Sequence, residues 1–529
     1  MQIEKWCKCC NKSFLDSEKC PDCGNILEQV VPTEIYWCNN CKVPIILELT
    51  ASKHICPICR AKINFLAKDL RPVFPEERLL IELLIGKPFE WMHKSVWANN
   101  SHYYVDASVY TVSFSKYRNI DTQSIILQLE KLKEQNDSRE FFMRVKTFIE
   151  ANTERLKSIT EEAKQFVCNV SSQYKNDQLI ISFSGGKDST VTSDIVIKAL
   201  RDPCIRHIFG DTTLEIPSTY EYKDRYRKAN PKAVFKIAKN KDQDFFSVCR
   251  DIGPPARMMR WCCTMFKTGP ITRALNSAFR DERVLTFYGI RKNESAARSK
   301  YNRLEDTSKA VKIHKQAVAS PIFFWTDLEI WLYLLGENID FNDAYKLGFD
   351  RVGCWCCPNN SERSQFLAKI YLSRQWQDWH NFLISFAKSI GKTDAEEYVD
   401  GGWWKARQGG NGIKASNDVI VKQTNCTSEE NARIYNLNKP LGDDFYNLLT
   451  PFGHVKKELG RKLIGEILVL DTVTNKPILS VQPFKQSGFD FPVKIKTMNV
   501  KDHAKYHRML AYQVKKFNAC RRCLKCESV

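Results

Sequence analysis

Short apolar runs alternate with amphipathic stretches through the middle of the chain. Residues 179–183 form an apolar run with β-branched side chains, which is typical of a buried strand, and residues 190–200 have the spacing of a helix. Apolar runs at 205–210, 233–237 and 284–288 predict further strands. Because strands that alternate with helices favour parallel pairing, the pattern predicts an α/β fold, a parallel sheet with helices on both faces.

The flanking stretches have weaker and more varied patterns. The predicted helices begin near Pro75 and cover 122–133, 138–170 and 375–390, and the predicted strands fall within 91–112 and 464–481. These stretches indicate a connecting α+β domain before the central sheet and a smaller α+β module after it.

Composition narrows the class of protein. The chain has 529 residues and a formal net charge of +19, from 80 basic against 61 acidic side chains, which favours a polyanionic partner such as nucleic acid. No stretch reaches the roughly 18 uninterrupted apolar residues that span a bilayer, so we expect no membrane association and a cytoplasmic protein. In that reducing compartment, 21 cysteines clustered in close pairs indicate metal binding, not disulfides.

The first sixty residues contain four Cys-x-x-Cys pairs. Two such pairs close a tetrahedral site with no open position, so the spacing predicts two structural Zn²⁺ sites. The predicted ligands are Cys7, Cys10, Cys20 and Cys23 in the first site, and Cys38, Cys41, Cys56 and Cys59 in the second. Contact with a nucleic acid or partner protein and a purely structural role are both open for these ribbons.

The domain boundaries follow from these patterns. We expect two zinc ribbons at 1–65, a connecting α+β domain at 66–170, the central catalytic domain at 171–395, an accessory α+β module at 396–490 and a basic, cysteine-rich tail at 491–529.

A glycine turn joins the central strand to its helix. Ser184, Gly185 and Gly186 form the turn, and Lys187, Asp188 and Ser189 open the helix, whose free amide groups would hold an anion. The sequence Ser-Gly-Gly-Lys-Asp-Ser resembles the pyrophosphate loop of the PP-loop ATP pyrophosphatases. The resemblance implies that these six residues bind the phosphates of ATP, with pyrophosphate as the leaving group of an adenylation. Asp188 or Asp211 would position Mg²⁺.

Four further motifs follow in order along the chain: Asp211-Thr212, Arg260-x-Cys262-Cys263-x-x-x-Lys267, Gly289-x-Arg291-x-x-Glu294-Ser295-x-x-Arg298, and Pro321-Ile322 with Trp325 and Trp331. Together, over roughly residues 175–365, they resemble the phosphoadenylyl-sulfate (PAPS) reductase family. The resemblance implies that Arg291, Glu294 and Arg298 line the nucleotide or sulfur-donor site and belong to the catalytic set with Lys187 and Asp188.

A further candidate metal site lies within this domain. The pair Cys262-Cys263 and the turn Cys354-Trp-Cys-Cys357 provide four thiolates, the pattern of a [4Fe–4S] cluster in the adenylyl-sulfate reductase branch and in the related DNA phosphorothioation protein of the Dnd system. Cys356 could replace Cys357 in this set, and a zinc site is the alternative. The tail adds Cys520, Cys523 and Cys526, whose spacing is compatible with a second metal site, a redox or persulfide relay, or neither.

Three functions fit the sequence. In the first, ATP activates an oxygen of a nucleic acid and sulfur from a donor such as a cysteine desulfurase displaces AMP; the basic charge and the ribbons favour this thiolation. In the second, the enzyme reduces adenylyl sulfate or its 3′-phosphorylated form to sulfite, which the cluster motif favours. In the third, the chain is a nucleic-acid-binding or defence-complex subunit with an ATP-sensing site. The sequence leaves the oligomeric state open.

Overall fold

The computed structural model describes residues 4–7, 9–10, 12–15, 17–27, 31–118, 120–257, 259–279, 282–295, 298–306, 316–408, 421–500 and 502–519. Within these ranges, no helix is both long and apolar enough to cross a membrane.

A six-stranded sheet forms the centre of the fold and confirms the predicted α/β class. Its strands lie in the order Val234–Lys239, Arg206–Asp211, Leu179–Ser182, Val284–Tyr288, Gln316–Ala319 and Leu304–Asp306, with the first five parallel and the last antiparallel. Alternate side chains of the central strand enter different cores: Leu179 and Ile181 pack with Val191, whereas Ile180 packs with Leu275. Helices therefore cover both faces, as a fully apolar parallel strand requires.

The helices of this domain are, in chain order, Lys187–Leu200, Pro217–Ala229, Phe245–Ile252, Gly269–Phe279, Asp327–Gly336, Glu362–Tyr371, Ser373–Ser389 and Ala395–Asp400. A π-helical turn covers Cys263–Thr268.

The N-terminal region forms two small antiparallel units. The first pairs Glu4–Cys7 with Lys12–Leu15, and the second has the strands Thr33–Cys38, Val43–Glu48 and Asn64–Ala67. The connecting domain has the strands Arg71–Pro72, Val96–Asn99, His102–Val105 and Ser108–Thr111, and the helices Pro75–Leu84, Thr122–Leu132, Arg139–Ala151 and Thr153–Ser171.

The single helix predicted at 138–170 is wrong in one respect, because the structure breaks it at Asn152. This buried side chain accepts a hydrogen bond from Ile46 N at 2.8 Å and donates one to Pro44 O at 3.1 Å. Asn152 thus docks the helix pair onto the second ribbon, a contact between residues more than a hundred positions apart.

A buried ion cluster joins the connecting domain to the central one. Glu77 binds Arg71 with N–O distances of 2.6 and 2.7 Å, accepts a hydrogen bond from the Tyr103 hydroxyl at 2.9 Å and pairs with Arg363. Burial alone would raise the pKa of Glu77, but Arg71 and Arg363 lower it below its ordinary value. The carboxylate therefore stays ionised at neutral pH.

Replacing Glu77 with glutamine should reduce the free energy of unfolding by about 3 kcal/mol at neutral pH, because two buried guanidinium groups lose their shared counter-charge. Chemical denaturation measures this loss. Glu76→Gln, at the exposed neighbouring position, is the control. Because the folded pKa of Glu77 is depressed, its contribution should disappear as the pH falls through that pKa. Equal stabilities of the two variants at pH 7 would contradict the assignment.

The C-terminal region is a second, antiparallel six-stranded sheet, in the order Gln423–Asn425, Ala432–Leu437, Phe491–Thr497, Pro477–Pro483, Ile467–Leu470 and His454–Lys456. The short helix Asp443–Asn447 and the long helix His503–Ala519 accompany it. The expected boundary at residue 490 is therefore misplaced, since strand Phe491–Thr497 pairs inside this sheet with two neighbours.

Candidate nucleotide site and cysteine centre

The glycine turn lies where the central strand ends, at the carboxyl edge of the parallel sheet. Gly185 has φ +71°, in the region that favours glycine, and the turn closes on itself through Ser189, whose hydroxyl donates to Gly186 O at 2.8 Å and lies 3.1 Å from the Ser184 hydroxyl. Helix Lys187–Leu200 begins directly after the turn. The predicted phosphate loop thus has its residues around one helix start, the geometry that suits an anion.

Two cations and two carboxylates interleave beside this loop. Lys187 Nζ lies 3.2 Å from Asp188 and 3.1 Å from Asp327, and Arg291 pairs with the same two carboxylates, at 2.7 Å for Asp327. Burial alone would lower the pKa of Lys187, but Asp188 and Asp327 raise it above its ordinary value. The lysine is therefore held charged and in place before any phosphate arrives.

The carboxylate of Asp188 faces cations on both sides. Burial would raise its pKa, yet Arg291 and Lys187 lower it strongly. Asp211, at the end of its strand, accepts hydrogen bonds from Thr213 N at 2.8 Å and from the Tyr220 hydroxyl at 2.9 Å. Asp188 and Asp211 thus belong to different sets of contacts, and the expectation that either of them holds Mg²⁺ stays a prediction.

Three residues that sequence reasoning missed complete the network. The amide of Lys187 donates to the Tyr345 hydroxyl at 2.9 Å, and Asp69 accepts from the amides of Asp327 and Leu328 at 2.9 and 3.1 Å. Burial, and then the nearby Asp327, raise the pKa of Asp69 to about 7. Asp327 had a local signal, since Thr326 and Glu329 form a capping box around it. Asp69 and Tyr345 had none.

A cavity of about 730 Å³ opens from this network. Lys187, Arg291, Glu294 and Arg351 line one side, with Glu294 paired to Arg351 at 2.8 Å. Arg298 pairs with Glu294, so the structure places all three residues of the predicted arginine–glutamate motif together. The N-terminal region and the connecting domain provide other parts of the lining, including Trp6, Thr33, Glu34, Leu49, Lys68 and Asn99.

Gly289 sits against the phosphate loop. A Cβ atom there would lie 2.6 Å from the backbone carbon of Asp188 and 2.8 Å from Ser189 N, closer than any side chain tolerates. Gly289→Ala should therefore displace the loop and weaken ATP binding at least about tenfold, which isothermal titration would measure. Gly353→Ala is the control, since a Cβ there meets nothing within 4 Å. Equal affinities in the two variants would contradict this reading.

The four predicted cluster cysteines come together at the same edge of the sheet. Cys354 lies in a strand-like bridge to Glu215, its thiol is 3.3 Å from the Thr212 hydroxyl, and Cys262-Cys263 opens the π-helical turn. Cys262 has a pKa well above its ordinary value because Cys263 hydrogen-bonds to it, because it is buried, and because Cys354 and Cys357 are close. Arg260, Lys267 and Lys516 add positive charge beside Cys263.

The quartet fits a cluster better than one zinc ion. Among the described residues, only the ribbon cysteines bring four sulfurs within 4.8 Å of one another. A [4Fe–4S] cluster binds each thiolate to a different iron and so spaces its ligands more widely. Cys356 is 3% exposed and packs in the core near Cys249, pointing to Cys357 as the fourth ligand.

The ribbon cysteines form two compact sets, as predicted. Cys7 Sγ lies 3.5 Å from Cys23 Sγ and Cys38 Sγ lies 3.4 Å from Cys59 Sγ, with the remaining sulfurs of each set alongside. Backbone amides of Cys10 and Cys41 donate to the first sulfur of each set. This donor set fits Zn²⁺. Cys520, Cys523 and Cys526 lie outside the described residues.

A parallel sheet that carries a Ser-Gly-Gly-Lys-Asp-Ser loop at its carboxyl edge is the arrangement that the PP-loop resemblance implies. Residues 178–360 match the phosphoadenosine phosphosulfate reductase domain, which confirms the resemblance that the motifs indicate.

The chain is also similar to individual proteins over part of its length. An uncharacterized protein of Methanocaldococcus jannaschii is 32% identical over 257 residues, 49% of this chain and 51% of that protein, so the chain spans about half the length of that relative. Adenosine 5′-phosphosulfate reductase 1 of Bacillus subtilis is 26% identical over 202 residues, 38% of this chain and 80% of that enzyme. The crystal structure of the PAPS reductase of Candida auris has 19% identity and a TM-score of 0.30, covering 39% of this chain and 96% of that one.

Proposed function

We propose that the protein is an ATP-dependent enzyme that transfers sulfur to a nucleic acid. One observation supports the proposal: the cavity that opens from Lys187 has part of its wall built from the N-terminal zinc-ribbon region, by Trp6, Thr33, Glu34 and Leu49. This wall lies outside residues 178–360, the part matched to the reductase domain. A polymer bound along a ribbon could present one group to the nucleotide, and the net charge of +19 favours such a polyanion.

The reaction has two steps with defined leaving groups. An oxygen of the nucleic acid attacks the α-phosphorus of ATP, the bond to the β-phosphate breaks, and pyrophosphate leaves. Sulfur at the oxidation level of hydrosulfide then attacks the substrate atom that carries the adenylate. A bond to sulfur forms, the bond to the adenylate oxygen breaks, and AMP leaves. Ser184, Gly185, Gly186 and Ser189 hold the phosphates, while Lys187 offsets the charge that develops on the departing pyrophosphate.

The four cysteines of the cysteine centre would bind an iron–sulfur cluster and position it. A cluster on Cys262, Cys263, Cys354 and Cys357 would supply electron transfer beside the nucleotide. The thiol of Cys356 is buried in the core, a position that does not suit a carrier of sulfur to the substrate. We therefore infer an external sulfur donor, such as a cysteine desulfurase.

Reduction of an adenylyl sulfate is the second candidate. The cysteine quartet and the 26% identity to a Bacillus subtilis adenosine 5′-phosphosulfate reductase favour it.

Two assays on anaerobically purified protein separate the candidates. Thiolation predicts pyrophosphate release from ATP that rises when RNA or DNA is added. Reduction predicts sulfite from adenylyl sulfates in the presence of a dithiol reductant, without ATP. ATP binding with neither product would indicate the third reading, a nucleotide-sensing subunit.

A further inference from the structure

A second, smaller cavity lies beside the cysteine loop, away from the phosphate loop. Its volume is about 150 Å³, the space of about five water molecules. Trp404 and Lys405 form its base, and both are buried, with exposures of 4% and 6%. The side chains of Arg118 and Arg257 lie at its exposed mouth. Trp404 and Lys405 lie beyond the domain that ends at residue 360.

Lys405 carries a buried charge and has no ion-pair partner among the described residues, although the nearby Glu362 and Cys357 oppose the fall of its pKa. Its ammonium group makes no hydrogen bond or ion pair with another described residue, and its nearest aromatic neighbour is the ring of Trp404, 5.8 Å from Nζ to the centroid. Burial, and then the proximity of Arg257, lower its pKa to about 8. A buried ammonium group in this state is costly unless something anionic joins it.

The rest of the lining adds positive charge. The acids of the cavity have partners of their own: Asp400 pairs with His380 at 2.8 Å, and Glu362 pairs with Arg118. Lys369 donates to Arg118 O at 3.4 Å, a backbone carbonyl, and Arg257 donates to Pro358 O at 3.4 Å. Within the described part of the lining, Lys369, Arg257 and Lys405 therefore have no carboxylate at ion-pair distance.

The cavity adjoins the loop that carries the predicted cluster ligands. Arg257 binds the carbonyl of Pro358, directly after Cys357, and Asn360 on the cavity wall donates to Cys354 O at 3.2 Å and to Trp355 O at 2.9 Å. The charge of Cys357 also acts on Lys405. An anion held at Lys405 would therefore sit next to the cysteine centre.

We propose that this cavity binds a small inorganic sulfur anion, of the size of hydrosulfide or sulfite. The cavity is too small for a nucleotide, and Lys369, Arg257 and Lys405 in its lining have no carboxylate at ion-pair distance among the described residues. Its wall includes Asn360, which donates to the cysteine loop. The inference rests on the proposed function and its alternative, because hydrosulfide is a reactant of thiolation and sulfite is a product of reduction. The cavity holds this anion next to the cysteine centre.

Isothermal titration of the anaerobically purified full-length protein with sodium sulfite and with sodium sulfide tests the site. We expect one of the two anions to bind with one site per chain, and Lys405→Gln to weaken that binding at least about tenfold, the loss of a hydrogen bond to a charged group. Lys388→Gln changes an exposed lysine of the neighbouring helix and should leave binding unchanged. Visible absorption checks that the cysteine centre is intact in each variant.

Several outcomes would overturn the proposal. They are the absence of binding to the wild-type protein, equal binding by Lys405→Gln and wild type, and equally tight binding of sulfate and phosphate. If Lys405→Gln does not fold, Arg257→Gln at the exposed mouth replaces it, with a smaller but measurable weakening expected. Unchanged binding in that variant would also contradict the site.

Discussion

Replacing Lys187 with methionine is expected to lower the rate of pyrophosphate release from ATP by about 100- to 1000-fold, the usual effect of removing one preorganised charge from a transition state. The ammonium group lies within 3.2 Å of two carboxylates and is 3% exposed, so its position is fixed before ATP binds. Methionine keeps most of the apolar stem of lysine and removes the ammonium group. A coupled pyrophosphate assay measures the effect.

Lys198 provides the matched control, on the last turn of the same helix. It is partly exposed and pairs with Asp194 and Glu337 at 2.8 Å, away from the phosphate loop. Lys198→Met should retain the wild-type rate within about twofold, because exposed pairs contribute little. If Lys187→Met retained activity while binding ATP normally, the lysine would have no part in the chemistry.

Replacing Cys357 with serine should remove the iron centre. We expect the wild-type protein, purified without oxygen, to hold about four iron and four sulfide per chain. The variant should lose most of this iron and its visible absorption, because a hydroxyl is a poor ligand for iron in a cluster. Zinc on the ribbons should stay, since those sites use other cysteines. Metal analysis of the same sample measures both.

Cys356→Ser is the control for this experiment. The sequence alone left open which of the two cysteines is the fourth ligand. The two cysteines are adjacent, yet Cys356 packs in the core near Cys249 while Cys357 faces Cys263. Cys356→Ser should keep its iron and lose some stability, because it buries a hydroxyl in an apolar site. The reverse result, with iron lost from Cys356→Ser alone, would assign the fourth ligand to Cys356.

Local pattern was enough for most elements of this chain. The strand before the phosphate loop, the helix after it and the helix from Pro75 are where the periodicity places them, since each has an apolar face and a clear start signal. The ribbon ligands were equally predictable, because Cys-x-x-Cys spacing is itself the geometry of the site.

Contacts between residues far apart in the chain could not be predicted from the local sequence pattern. Asp69 caps a helix that begins 258 residues later in the chain. Asn152 lies at a break between two helices and binds a strand of the second ribbon. Neither residue differs locally from an ordinary polar position. The C-terminal boundary failed for a related reason: strand Phe491–Thr497 lies in a basic stretch, and only its pairing with Ala432–Leu437 and Pro477–Pro483 shows that it belongs to a sheet.

The most direct test of the proposed sulfur transfer is mass spectrometry of nuclease-digested RNA and DNA from cells that carry the intact gene or the Lys187→Met variant. The proposal predicts a nucleoside or linkage with sulfur in place of oxygen that is present with the intact gene and absent with the variant, and its identity would name the polymer. Identical digests from both strains, under several growth conditions, would contradict sulfur transfer to nucleic acid.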